Sequence, residues 1–165
     1  EIIIKGAALG FADVPLSEKA PYVIRYAGMI DNWAECDCFC SCIKVKKSEE
    51  DALRLLSDRL MKRKEEFVSR VGIVLMFSKF TDEPTVKKAL DIYDALPYGA
   101  YYRDMAVAWG LSVYCVKYPE LITGYLEHSP ISIKVKLMAA QKIRDSRRVS
   151  DDYKKRITCI VNAQR

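Results

Sequence analysis

Histidine is almost missing from this 165-residue chain: His128 stands alone. Its scarcity disfavours hydrolysis through a Ser–His or Cys–His nucleophile. No Gly-x-Ser-x-Gly elbow, Gly-rich phosphate loop, zinc finger or RNA-recognition motif occurs either. No apolar run approaches the length of a membrane span, so no membrane partner is expected. The opening Glu1-Ile2-Ile3-Ile4-Lys5 is too short for a signal-peptide core. Alternating strand patterns with hairpin turns are absent, which argues against β folds. Nothing points to an oxidising compartment, so the six cysteines are expected as reduced thiols in a cytoplasmic protein. An initiating Met is lacking too. The chain enters a helix-like stretch with no capping residue before it, and the native start is expected upstream.

What is present reads as an ordinary globular composition, 50% hydrophobic and 30% charged. One domain over residues 1–165 is expected. A net charge of +5 is compatible with a polyanionic partner if the cations gather on one face.

The hydrophobic period is helical throughout and predicts about ten helices. The first runs from Glu1 to Phe11, with Gly6 and Gly10 permitting close packing. Ser17 is expected to cap the second, with Tyr22, Ile24, Tyr26 and Met29 facing the core. Asp31 is expected to cap the third, over Asn32 to Lys44. Ser48 and Asp51 resemble a capping box for the fourth, whose apolar stripe is Leu53, Leu56, Leu60 and Met61. The fifth spans Glu65 to Phe80. Asp82 caps the sixth, with Pro84 in its first turn. The seventh, Gly99 to Lys117, is apolar nearly all round and should lie between neighbours. Pro119 opens the eighth, Ser129-Pro130 precede the ninth, and Ser150-Asp151-Asp152 open the last. The fold class is all-α. Pairs of helices recur over about 35–40 residues, the spacing of HEAT-like repeats, whose stacking gives an α-α superhelix with a concave face. A compact helical bundle is the alternative.

Cys36, Cys38, Cys40 and Cys42 form a Cys-x-Cys-x-Cys-x-Cys run. Thiolates are zinc ligands, but alternate residues of a helix point in different directions, so the expectation is small core residues and no metal. On the same helix Cys36, Phe39, Cys40 and Ile43 share a core face. Trp33, Asp37, Ser41 and Lys44 share a second, half-polar face. An indole beside a carboxylate can exclude water and stabilise developing positive charge. Equally, Trp33 can pack on a neighbour and Asp37 can pair with a nearby Arg. Arg70, in a strongly apolar helix, needs a partner: a buried carboxylate or a phosphate. Trp109 lies in the apolar seventh helix, where a Trp is ordinarily core. Basic groups cluster at Lys142, Arg144, Arg147 and Arg148, at Lys154, Lys155 and Arg156, and at Lys44, Lys46, Lys47, Lys62, Arg63 and Lys64. They read as a solvated surface or as a strip tracking phosphates.

Asp31-Asn32-Trp33-Ala34-x-Cys36-Asp37-x-Phe39-Cys40 resembles the DNA alkylation repair (AlkD-like) family of DNA glycosylases. The likeness continues through Arg70-Val71-Gly72-Ile73-Val74-Leu75-Met76 and Tyr101-Tyr102-x-x-Met105-Ala106-Val107-Ala108-Trp109. Further on it takes in Lys117-Tyr118-Pro119-Glu120 and Gln141-Lys142-Ile143-x-x-Ser146-x-Arg148-Val149-Ser150. This resemblance implies a curved stack of HEAT-like repeats with a basic channel for duplex DNA. It implies hydrolysis of the N-glycosidic bond of cationic alkylated purines, such as 3-methyladenine and 7-methylguanine, without metal or organic cofactor and by a monomer. By motif, Asp37 is the carboxylate, Trp33 and Trp109 are aromatic walls, and Arg70 contacts the DNA backbone. Lys142, Arg144, Arg147 and Arg148 are the further DNA-binding groups. The family's first helices have no counterpart here. A non-catalytic helical-repeat module binding nucleic acid or protein on its concave face is the alternative.

Overall fold

A computed structural model describes residues 2–165, so Glu1 of the expected first helix lies outside the described residues. Those residues form ten α-helices and no strand. They group into two compact units, one ending at Phe80 and one beginning at Thr81. The first holds α1 (Ile2–Phe11), α2 (Leu16–Ala27), α3 (Trp33–Cys42), α4 (Glu50–Met61) and α5 (Glu66–Lys79). The second holds α6 (Glu83–Asp94), α7 (Tyr101–Lys117), α8 (Pro119–His128), α9 (Ile133–Asp145) and α10 (Asp151–Asn162). No helix among the described residues is long and apolar enough to cross a membrane.

The core of the first unit is α5. Every residue from Val68 to Phe77 is buried, because α2, α3 and α4 all pack against this helix. Gly72 sets how closely α4 approaches. A Cβ there would lie 2.4 Å from the Met61 nitrogen and 2.7 Å from the Ser57 carbonyl oxygen. The Ser69 hydroxyl, three residues before it, donates to the Met61 carbonyl at 2.7 Å and so satisfies an orphan acceptor at the end of α4. Gly72→Ala is therefore expected to destabilise the fold by about 1–3 kcal/mol despite the better helix propensity of Ala. Urea unfolding measures this; an unchanged midpoint would mean that the backbones separate freely.

Buried Lys19 is a second unit-one device. Its ammonium donates to the carbonyls of Lys44, at 3.0 Å, and Gly10, at 3.4 Å. These acceptors lie at the ends of α3 and α1, where the helix dipole favours a cation. Gly10 also packs on Cys42, whose backbone a Cβ would meet at 2.8 Å, and Gly6 packs on Tyr26.

Several local expectations need correction. Pro15, not Ser17, precedes α2, and its carbonyl accepts from the Glu18 and Lys19 amides. Leu16, Lys19, Val23, Tyr26 and Ala27 then face inward, leaving Tyr22, Ile24 and Met29 exposed. Asn32 caps α3 in place of Asp31. A 3-10 turn over Lys47–Glu49 replaces the box expected at Ser48 and Asp51. The Glu49 carboxylate instead accepts from the Leu16 amide at 2.7 Å. Elsewhere the helices fall within about two residues of the reading, α3 ending at Cys42 and leaving Lys44 outside it. The Asp82 carboxylate accepts from the Thr85 amide at 3.1 Å, and Pro84 sits in the first turn of α6.

Candidate functional site

The site begins at the start of α3. The Asn32 side chain accepts from the Glu35 amide at 3.0 Å, which fixes the first turn. Trp33 is thereby the first helical residue, and its side chain leaves the helix end for solvent, 57% exposed. Asp37 follows one turn later on the same side.

The opposite side anchors the helix. Cys36, Phe39, Cys40 and Ile43 are buried, and the Phe39 ring lies 4.5 Å from that of Tyr26. The Cys40 thiol donates to the Val71 carbonyl of α5 at 3.7 Å. Burial, with Cys36 and Asp37 close by, pushes that thiol well above its ordinary range and keeps it protonated. The run of four cysteines thus divides between core and surface: Cys36 and Cys40 buried, Cys42 half-buried, Cys38 exposed. Among the described residues, no group of three or more His, Cys, Asp and Glu is placed to hold a metal.

The contact at Val71 brings its neighbour, Arg70, to Asp37. The guanidinium donates through Nε to Oδ1 at 3.2 Å, and through Nη2 to Oδ1 and Oδ2 at 2.9 Å each. The Arg70 side chain is only 4% exposed, whereas that of Asp37 is 22% exposed. Of the two partners open to Arg70 in the sequence, the structure supplies the carboxylate. A planar fork on a planar carboxylate fixes both the position and the tilt of Asp37. The same carboxylate stays 22% exposed, and the exposed Trp33 stands one helical turn before it.

The second unit carries the other expected residues. Trp109 of α7 is half-buried and lines a cavity of about 250 Å³ with Val113, Val116, Lys142 and Arg148. An indole, two cations and the carboxylate of Asp145 therefore share one opening. Lys142, Arg144, Arg147 and Arg148 are all exposed. The Arg144 guanidinium donates to the side chains of Gln141 and Thr158, both neutral, so its charge is uncompensated by them. Lys154 and Arg156 are held by carboxylates, Asp151 at 3.3 Å and Glu120 at 3.0 Å, as solvated surface pairs are. Trp33, Asp37 and Arg70 thus belong to the first unit, and Trp109 with the four basic groups to the second. One contributor escaped sequence reasoning: Asn32, whose cap orients Trp33. Its signal is an Asn directly before the motif's Trp.

Comparison of the chain with protein-family models, with curated proteins and with solved structures finds no match.

Proposed function

We propose that this chain is a monofunctional DNA glycosylase that hydrolyses the N-glycosidic bond of cationic alkylated purines, of the 3-methyladenine and 7-methylguanine type, in duplex DNA. The observation that carries the reading is the half-open carboxylate of Asp37, held by a buried Arg70 and flanked by the exposed Trp33. An alkylated purine is already positively charged, so it can leave without a general acid. As the C1′–N bond breaks, the electron pair goes to the base and neutralises it. Positive charge passes to the sugar as an oxocarbenium-like centre. The Asp37 carboxylate stabilises that charge and orients the water that adds to C1′; the water's proton passes to Asp37 or to solvent. The Trp33 indole offers a π face to the cation.

Arg70 is assigned here to positioning. A guanidinium this deeply buried and bound on both oxygens of a carboxylate orients that carboxylate, in preference to reaching a phosphate. Trp109 is assigned as the second aromatic wall. Lys142, Arg144, Arg147 and Arg148 are assigned to the phosphates of the duplex. The HEAT-like superhelix of the resembled family is the architecture that this reading implies. One observation favours the alternative of a non-catalytic helical module: Arg70 already engages both oxygens of Asp37, as a structural ion pair would.

The two readings part on a simple experiment. The chain is incubated with methylated duplex DNA and the released bases are separated by chromatography. Appearance of methylated purine is expected, with release slowed roughly tenfold in Trp33→Ala and in Trp109→Ala while DNA affinity changes less. No release above the spontaneous rate leaves only the binding module.

A further inference from the structure

A different part of the first unit holds a site that the glycosylase reading does not use. We propose that the cavity enclosed by α2, α4 and α5 binds a small amphipathic anion, an alkyl or aryl carboxylate, with its apolar body on the floor and its carboxylate on Arg59. The cavity measures about 480 Å³, within the range of small-molecule sites, and its floor is apolar. Ala27 and Ile30 come from α2 and the turn after it, Leu56 and Leu60 from α4, and Val68 from α5. All five are buried. At the mouth Ile24 is 45% exposed, an apolar surface left facing water beside the opening.

The rim decides the sign of the ligand. Arg59, Arg63, Glu65 and Glu66 stand there. Arg63 is bound to Glu65 by two hydrogen bonds, at 2.6 and 3.2 Å, and this pair neutralises itself. That contact holds the Glu65 carboxyl down at about 2, so the pair persists at neutral pH. Glu66 has a partner of its own. Arg59 is exposed and, among the described residues, makes no ion pair or side-chain hydrogen bond. A planar, permanently charged donor fork above an apolar floor matches a carboxylate with a hydrocarbon body, and opposes a cationic head group.

The probe is decanoate below its micellar concentration, followed by methyl chemical shifts of the chain. Two variants separate the two halves of the site. Arg59→Gln removes the charge and keeps a shorter, polar side chain. Gly28→Leu fills the mouth without backbone strain, because Gly28, at the end of α2, has right-handed backbone angles (φ -72°) and the nearest atom to an added Cβ is the Arg25 carbonyl oxygen at 3.4 Å. Saturable shifts are expected at Ile24, Leu56 and Leu60 and not at Ile4 or Val14. Arg59→Gln is expected to weaken decanoate about tenfold and leave 1-decanol unchanged, and Gly28→Leu to weaken both. No saturable shift, equal affinity for decanoate, decanol and decyltrimethylammonium, or indifference to both variants would overturn the assignment. Melting curves of both variants are recorded alongside; a tenfold loss in Arg59→Gln counts for the site where the melting temperature is unchanged.

Discussion

Asp37→Asn is expected to cut release of 7-methylguanine from duplex DNA by about 10²–10³-fold, the usual cost of removing one preorganised partner of a developing charge. Asn keeps the volume of Asp and one oxygen for the Arg70 fork. What it loses is the negative charge that the sugar cation needs. Affinity for the duplex is expected to stay or to rise, since a carboxylate facing phosphates opposes binding. Single-turnover release and equilibrium binding, measured on one preparation, separate these effects. A rate within about threefold of wild type would remove Asp37 from the chemistry and leave it as the structural partner of Arg70.

The second large effect lies in stability, and it is asymmetric. Asp37→Asn removes the negative charge opposite a guanidinium that is 4% exposed, at a cost on the order of 3 kcal/mol. Arg70→Met places a shorter apolar chain in the same space and leaves only Asp37, which at 22% exposure still touches water. That change is expected to cost less, about 1–2 kcal/mol. Urea unfolding of both single variants and the double variant measures the coupling between them. Equal costs would mean that water reaches Arg70 as readily as Asp37. Activity adds a second readout. If Arg70 acts by orienting Asp37, Arg70→Met slows base release by about 10–100-fold with DNA affinity retained. A contact to phosphate would show the opposite split, with weaker binding and a lower salt dependence.

The helical architecture was legible because its punctuation is local. Asp82 with Pro84, Pro119 and the Ser150-Asp151-Asp152 start each state a helix boundary within a few residues, and all three mark helix starts in the structure. The core face of α3 was legible for a similar reason: Cys36, Phe39, Cys40 and Ile43 follow helical spacing. Where the reading failed, the deciding partner was distant in the chain. Tyr22 and Ile24 stand exposed because Leu16, Lys19, Val23, Tyr26 and Ala27 set the inward face of α2. The Leu16 amide is held by Glu49, 33 residues away. A lysine reads as surface, yet Lys19 is buried because carbonyls at the end of α1 and just past α3 converge on it. Arg70 announced that it needed a partner but could not name it, since Asp37 lies 33 residues earlier. Trp109 sits on a helix apolar nearly all round, so periodicity could not tell which side opens to solvent.

The most direct measurement compares binding to two duplexes that differ by one charge. One carries a neutral tetrahydrofuran in place of the damaged nucleotide's sugar, the other a protonated pyrrolidine, which imitates the cationic sugar. Wild type is expected to prefer the pyrrolidine duplex by at least about tenfold, and Asp37→Asn to lose that preference while keeping its affinity for the neutral duplex. Equal binding of the two duplexes by wild type, or a preference that survives Asp37→Asn, would contradict the account.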